Sequence, residues 1–381
     1  MKIKLRSILG WFSRLLMGIG LVSAIPLFPF QLQPPSAVKP EATQTVQPAG
    51  SNPIPTLAYY YIWFDTSSWD RAKSDFPLEG KYSSDDQAVM RQHIRWAKAA
   101  GIQGFIVSWK STEVLNRRLD KLIDIAEEEN FKLAIIYQGL DFERDPLEVE
   151  RIATDLDIFI QRYAQRPAFD LFAKPLVIWS GTWMFSPQEI GSVTTQARRD
   201  KLLLLASERN LGGYQRLANL VDGNAYYWSS VNPDTFPGYQ DKLAEMGQAV
   251  HKQHGLWIAP AAPGFDARMI GGTTTVERND GQTLRTQINT ALASSPDALG
   301  IISWNEFSEN SHIEPSKKYG SRYLEVLSEI NHLPAPVIGD FDSSEPTQSF
   351  PEVIPAARLV ALGGLVVVIL AGLIMIARRS P

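Results

Sequence analysis

The sequence predicts an α/β protein whose central part folds as a (β/α)8 TIM barrel. Residues 57–335 alternate short apolar runs with helical patterns, as βα units around a parallel sheet do. Eight such runs can be marked, and their number and the length of the region match a (β/α)8 barrel. A doubly wound open sheet is the alternative, but it would favour a glycine-rich nucleotide-binding loop, which the sequence lacks.

The predicted strands are short apolar runs, and helical periodicity lies between most of them. In chain order the runs are Leu57–Ile62, Gln103–Ser108, Lys132–Tyr137, Pro175–Trp179, Lys201–Ala206, Asn224–Trp228, Leu256–Ala261 and Leu299–Ser303. The fifth run is the weakest, since it could also be helical. The clearest helix is Asp85–Ala100, with Ser84 as its expected N-cap. Leu115–Glu129 and Leu147–Tyr163 repeat the helical pattern.

The composition excludes several classes of function. The 381 residues carry a formal charge of −4, which gives no electrostatic basis for binding nucleic acid. Cysteine is absent, so disulfides, thiolate catalysis and cysteine metal sites are excluded. His251 and His254 have a spacing that a metal could use, but no further ligand is near them in the sequence, and we expect neither a metal nor a cofactor.

Residues 1–30 are predicted to be a signal peptide or an uncleaved N-terminal anchor. Basic residues precede an apolar run over residues 15–25, as in secretory signals. Val22-Ser23-Ala24 offers small residues for cleavage, and Pro26 ends the run. An anchor that reaches back to Ile8 is the alternative.

Residues 357–377 are predicted to be a single transmembrane helix. Leu359–Ala377 contains no charged residue and is long enough to cross the hydrocarbon layer. Arg378 and Arg379 follow at once, so the tail 378–381 is expected in the cytoplasm and the barrel outside it. The sequence therefore predicts a single-pass protein of the cell membrane with an extracytoplasmic catalytic domain.

Two spacers are predicted to separate the barrel from these ends. Residues 31–56 are rich in Pro, Gln, Ser and Thr, and residues 336–356 are rich in Pro, Ser and acidic residues. Such compositions are typical of flexible or extended tethers. They would hold the barrel away from the membrane surface.

A dense group of titratable residues follows the last predicted strand. The segment Ser303–Pro315 contains Glu306, Glu309 and Glu314 within a few residues of the strand end. Active sites of α/β barrels lie just past the C-terminal ends of the strands. Cleavage of a glycosidic bond needs two carboxyl groups, so we predict Glu306 and Glu309 as the catalytic pair and Glu314 as a supporting residue.

Aromatic and hydrogen-bonding residues follow nearly every other predicted strand. This mixture suits a carbohydrate cleft, since a sugar ring offers an apolar face for stacking and hydroxyl groups at its edge. The predicted substrate-binding residues are Tyr60, Tyr61, Trp63, Trp109, Tyr137, Tyr227, Asp266, Arg268, Asn305 and His312. For Asn305, orientation of Glu306 is a second possible role.

Several motifs resemble glycoside hydrolase family 99, the endo-α-mannosidase group. Ser303–Pro315 resembles the family signature SWNEWHEGTQIEP, with differences at Phe307, Ser308, Asn310 and His312. Further similar positions are Tyr59-Tyr60-Tyr61 with Trp63, Gly80–Asp85, Gly101–Trp109, Pro263–Asp266 with Arg268, and Asn279–Gly281 with Thr283. Together they extend over most of residues 57–330.

The resemblance implies separate roles for the two glutamates. Glu306 would act as the base toward the sugar's own 2-hydroxyl group, which gives an anhydro-sugar intermediate and net retention. Glu309 would act as general acid and then as the base for water. The segment 308–312 also resembles the related family 71 endo-α-1,3-glucanases, which invert, so both the substrate and the stereochemistry stay open.

The expected function is hydrolysis of an α-linked mannan or glucan by a membrane-tethered extracytoplasmic glycoside hydrolase. Its partners would be the glycan and, through the C-terminal helix, the membrane. The alternative is a non-catalytic polysaccharide-binding protein of the cell envelope that retains the cleft. A metal-dependent barrel hydrolase is a third hypothesis, which metal chelation would test.

Overall fold

The structure is a computed structural model that describes residues 54–338. The predicted signal or anchor segment, the predicted transmembrane helix and tail, and most of both spacers lie outside the described residues. Between residues 54 and 338, no helix is long and apolar enough to cross a membrane.

Eight parallel strands close into a barrel, which confirms the predicted fold of the central region. The strands of the described chain are β1 (Thr56–Tyr61), β2 (Gly104–Trp109), β3 (Lys132–Gln138), β4 (Leu176–Ser180), β5 (Leu203–Ala206), β6 (Gly223–Ala225), β7 (Leu256–Ala261), β8 (Phe265–Asp266), β9 (Thr275–Val276) and β10 (Ala298–Ile301). The order around the barrel is β1-β10-β7-β6-β5-β4-β3-β2. Strands β8 and β9 form a separate antiparallel hairpin.

Helices follow most of the barrel strands and cover the outside of the sheet. They are α1 (Gln87–Ala99), α2 (Glu113–Glu128), α3 (Val149–Arg162), α4 (Pro187–Val193), α5 (Gln196–Arg199), α6 (Leu211–Gln215), α7 (Tyr239–Lys252), α8 (Gln282–Leu292) and α9 (Arg322–Ile330). The predicted N-cap of the first helix was wrong. The Asp86 side chain caps α1 by accepting from the backbone of Ala88 and Val89. The Ser84 hydroxyl accepts instead from Phe64 N at 3.1 Å.

The weakest predicted strand is present, but it is shorter than its apolar run. Residues 196–199 form α5, and only Leu203–Ala206 pairs as a strand with β4. Strand β6 is also short, at Gly223–Ala225, and Tyr226 and Tyr227 continue past it into the loop. This places Tyr227 at the C-terminal rim of the barrel, where a functional group is expected.

Alternate residues of each strand face two different apolar layers. The barrel interior contains Tyr59, Ile106 and Ile136, together with side chains from the other strands. Their sequence neighbours pack outward against the helices in a second, larger core. Since the side-chain period of a strand is two residues, a shift of one position moves a side chain from the interior to the outer layer. This alternation decides which strand-end residues can reach a substrate.

Candidate active site

Glu306 lies on a tightly bonded loop that follows β10. Its backbone N donates to the Ser303 hydroxyl at 2.8 Å, and its carbonyl accepts from Ser311 N at 3.2 Å. The loop closes on itself, because Ser303 N donates to the Ser311 carbonyl and Ile313 N donates to the Ser303 carbonyl. A loop held by its own backbone places a side chain with little conformational freedom, as a catalytic group requires.

The Glu306 carboxyl is almost inaccessible to solvent, and the residue is 8% exposed. Burial, together with the nearby charge of Glu309, raises its pKa to about 7. Hydrogen bonding from Ser308, whose N lies 3.0 Å from Glu306 Oε1, and the ammonium of Lys73 act in the opposite direction. A carboxyl group in this state can exchange a proton near neutral pH.

Glu309 is the second carboxyl group of the site. The residue is half-buried, and burial raises its pKa above the ordinary range. The guanidinium of Arg144 opposes this rise. Two carboxyl groups with raised pKa values that act on one another allow one to be protonated while the other is ionised. That division is what acid–base cleavage of a glycosidic bond needs.

Two tyrosines lie beside the carboxyl pair. The hydroxyl groups of Tyr61, the last residue of β1, and Tyr227 are hydrogen-bonded to each other. Burial raises the pKa of both hydroxyls, and the charges of Glu306 and Glu309 raise them further, which places the tyrosines within the electrostatic reach of the pair. The structure therefore brings together four of the predicted site residues.

The ring of Trp63 forms an exposed edge of this site. It stacks on Tyr61 with 4.4 Å between the ring centroids, and the residue is 42% exposed. An exposed indole beside the carboxyl pair is a suitable surface for the apolar face of a sugar. The position of Trp63 agrees with its predicted role, and binding stays a prediction.

Lys73 and Arg144 are site residues that the sequence analysis missed. Lys73 lies on the long loop between β1 and α1, where its ammonium donates to the Ser68 carbonyl at 2.6 Å. Arg144 lies in the loop between β3 and α3 and has a φ of +70°. Both residues lie several positions past the end of a strand, so the pattern of residues directly at the strand ends does not indicate them. Basic residues within the longer strand-to-helix loops are the signal that points to them.

Three of the predicted substrate-binding aromatics face away from the barrel interior. Tyr60, Trp109 and Tyr137 are at most 2% exposed and belong to the core between sheet and helices. This corrects the prediction, since side chains in that layer cannot contact a substrate. Their contribution is to stability, because truncation of such a ring to alanine costs about 3–5 kcal/mol. The inward side chains at this height are Ser108 and Gln138, whose amide donates to the serine hydroxyl at 3.0 Å.

Asn305 joins the ends of two strands instead of facing a substrate. Its side-chain oxygen accepts from Tyr61 N at 2.8 Å, and its side-chain nitrogen donates to the Tyr61 carbonyl at 3.0 Å. The same nitrogen lies 3.3 Å from the Tyr82 hydroxyl, and Asn305 is fully buried. Its predicted contact with a sugar was wrong. Its second possible role, the orientation of Glu306, stays a prediction.

His312 is also a structural residue. It is fully buried, its ring stacks on Phe307 with 3.9 Å between centroids, and Nε2 lies 3.1 Å from Asp75 Oδ2. Burial and the neighbouring Arg278 lower the pKa of His312 to about 3, so the ring is neutral. The predicted substrate contact was therefore wrong, because the ring is enclosed by the protein on all sides.

Asp266 and Arg268 lie on the β8–β9 hairpin and its connection. They form an ion pair of 2.7 Å in which Arg268 is largely exposed. They border a cleft of 620 Å³ that contains Asn310 but neither Glu306 nor Glu309. Asp266 N donates to the Glu309 carbonyl at 2.7 Å, so the hairpin supports the loop that carries the carboxyl pair. A substrate contact by this pair stays a prediction.

The chain matches the family model for Glycosyl hydrolase family 99 over residues 60–332. Glycoprotein endo-alpha-1,2-mannosidase of Rattus norvegicus is 21% identical over 285 residues, which cover 67% of this chain and 60% of that protein. An endo-alpha-1,2-mannosidase-like protein of Danio rerio is 24% identical over 285 residues, with 67% and 63% covered. This chain therefore spans less than two thirds of the length of these relatives.

A solved structure shows the same fold. The GH99 endo-alpha-mannosidase from Bacteroides thetaiotaomicron, in complex with bis-tris-propane, superposes with a TM-score of 0.64 at 20% identity and covers 73% of this chain and 96% of that chain. The family model matches most of the chain, and the barrel carries its carboxyl pair at the end of β10. The chain belongs to glycosyl hydrolase family 99.

Proposed function

We propose that this protein is a glycoside hydrolase that cleaves α-mannosidic bonds, with α-1,2-mannosides as the first candidates. The observation that carries the proposal is the pair Glu306 and Glu309, whose pKa values are both raised by burial at the rim of the barrel. The relatives named endo-alpha-1,2-mannosidase support the choice of sugar and linkage. The exposed Trp63 ring supports stacking of a sugar beside the carboxyl groups.

The proposed reaction divides the work between the two carboxyl groups. Glu306 removes the proton of the sugar's 2-hydroxyl, and this oxygen attacks the anomeric carbon while Glu309 protonates the leaving oxygen. Glu309 then removes a proton from water, and the water oxygen attacks the anomeric carbon. Glu306 returns its proton to the 2-oxygen as the bond between that oxygen and the anomeric carbon breaks, so both carboxyl groups are restored and the net outcome is retention. The positive charge of Lys73 lowers the pKa of Glu306, and the positive charge of Arg144 lowers the pKa of Glu309. Both charges therefore favour the ionised form of the neighbouring carboxyl group.

We further propose that the barrel acts outside the cytoplasm, tethered to the cell membrane. This rests on the sequence of residues 357–381, where an uncharged segment precedes two arginines. Treatment of intact cells with a protease, or with a labelling reagent that cannot cross the membrane, would test it. Protection of the barrel in intact cells would contradict it.

A polysaccharide panel tests the hydrolase directly. We expect the full-length protein to release reducing ends from α-1,2-linked mannan faster than from α-1,3-glucan, since the relatives are named for the mannoside bond. Reducing-end release and the size of the products would be measured. Binding to the panel without any release would instead support the non-catalytic envelope protein.

The carboxyl pair predicts a bell-shaped dependence of kcat/KM on pH. Activity requires one protonated and one ionised carboxyl group, so it should fall at low pH when both are protonated. It should also fall at higher pH, where the pair loses its last proton; burial raises both pKa values, that of Glu306 to about 7. Above that limb the rate should decrease about tenfold per pH unit. A rate that stays constant up to pH 9 would contradict the proposed general acid.

A further inference from the structure

The barrel contains a second group of titratable side chains besides the carboxyl pair. It consists of Glu79 from the β1–α1 loop, His93 from α1 and Glu314 from the loop after β10. All three side chains are at most 2% exposed. Burial of two carboxyl groups beside one imidazole is costly unless a positive charge balances them. The proposed hydrolysis uses none of these groups.

The contacts inside this group do not satisfy its polar atoms. His93 Nε2 lies 3.2 Å from Glu79 Oε2 and 3.4 Å from Glu314 Oε1. Neither contact has hydrogen-bond geometry, and Nε2, both Glu79 oxygens and Glu314 Oε1 are buried without a hydrogen-bond partner. The imidazole nitrogen therefore points between the two carboxyl groups and at neither of them. One atom of each residue, namely a Glu79 oxygen, His93 Nε2 and a Glu314 oxygen, lies within 4.8 Å of the other two.

The outer atoms of the same side chains are held in place. The Tyr60 hydroxyl lies 3.1 Å from His93 Nδ1, and the Tyr82 hydroxyl donates to Glu314 Oε2 at 2.9 Å. A metal-binding histidine commonly uses its second nitrogen for such a contact, which fixes the orientation of the ring. The tyrosines thus leave Nε2 and Glu314 Oε1 directed inward.

We propose that Glu79, His93 and Glu314 bind one divalent transition-metal ion, for which Zn²⁺ is the best match. One nitrogen and carboxylate oxygens form a ligand set that Zn²⁺ uses, with bond lengths of about 2.0–2.2 Å. Ligands at that distance in a tetrahedron are about 3.3–3.6 Å apart, and the two His93 contacts lie at 3.2 and 3.4 Å. The three side chains thus offer one nitrogen and two carboxylate oxygens, which lie within 4.8 Å of one another.

The position of the site gives the ion a structural role. It would join the β1–α1 loop to the segment after β10, and that segment carries Glu306 and Glu309. The link continues through Tyr82 to Asn305, which holds the end of β1. The ion itself would touch no substrate, because its ligands are enclosed by protein. It would stabilise the loops that place the carboxyl pair.

Metal content of the full-length protein tests this proposal. The protein would be purified in detergent, dialysed against Zn²⁺ and then against metal-free buffer, and analysed by mass spectrometry. We expect about one equivalent of zinc per chain, and a Tm that falls when a strong chelator removes it. Glu79→Gln should lose the bound zinc and the chelator-sensitive part of Tm while it keeps the size of the side chain. His93→Ala should lose the zinc as well.

A matched control separates this site from weak surface binding. His251 pairs with Asp297 at 3.0 Å on the exposed surface, so His251→Ala should keep the full zinc content. Wild-type protein without bound zinc, with the same Tm in zinc and in chelator, would overturn the proposal. The three side chains would then be a protonated histidine between two carboxyl groups. If both variants fail to fold, the wild-type content and Tm still decide, and neither depends on hydrolase activity.

Discussion

Glu306→Gln should lose nearly all hydrolysis of every substrate. The variant keeps the shape of the side chain and its contact with Ser308 N, but it cannot accept the proton of the 2-hydroxyl group. A positioned general base contributes about 10²–10⁴-fold to the rate, so kcat should fall by that factor. Binding of an α-mannan oligosaccharide should be largely retained. Steady-state kinetics and calorimetry on the same preparation would measure both quantities.

The stability of this variant provides an internal check. The pKa of Glu306 is raised to about 7 in the folded protein, above the value of an unfolded glutamate. The folded state therefore holds a proton that the unfolded state loses, and wild-type stability falls as the pH rises from about 4.3 to 7. At pH 8 the variant should have a Tm equal to or above that of the wild type. Glu245→Gln, on the exposed side of α7, is the matched control and should change neither activity nor Tm.

In the Glu309→Gln variant, the size of the loss in activity should depend on the leaving group of the substrate. A substrate whose leaving oxygen needs protonation should be cleaved about 10²–10⁴-fold more slowly, because the variant has no acid. An aryl mannoside with a good leaving group needs little protonation, so its first step should be much less affected. The ratio of kcat/KM for the two substrates, in wild type and variant, measures this difference.

The same pair of substrates assigns the roles of the two glutamates. Burial raises the pKa values of both, so electrostatics alone does not decide which one is the acid. If Glu306→Gln is the variant that still cleaves the aryl substrate, the proposed roles are reversed and the hydrolase itself stands. Equal loss on both substrates in both variants would contradict a general acid at either position.

The fold could be predicted because each barrel strand is a short apolar run with a helical pattern after it. All eight runs overlap an observed strand, and even the uncertain run before Ala206 pairs in the sheet. Strand ends were less predictable. Apolar residues continue past the last hydrogen bond of β6, and the N-cap of α1 depends on which of several neighbouring polar residues reaches its first turn.

The carboxyl pair was the predictable part of the candidate site, since two glutamates follow a buried strand directly. The direction of side chains was harder to predict. Tyr61 and Tyr60 differ by one position, and only the first faces the carboxyl groups. A strand buried on both faces has no polar alternation that would separate inward from outward residues. His312 lay in the right segment, but its loop folds back onto Asp75 and Arg278, which are distant in sequence.

Catalysis by the carboxyl pair is tested directly by a comparison of the wild type with the double variant Glu306→Gln, Glu309→Gln on one α-1,2-linked mannan. Binding and reducing-end release would be measured in the same samples. We expect both proteins to bind the mannan and only the wild type to release reducing ends. Equal release by both proteins, or binding without release by the wild type, would contradict catalysis by this carboxyl pair.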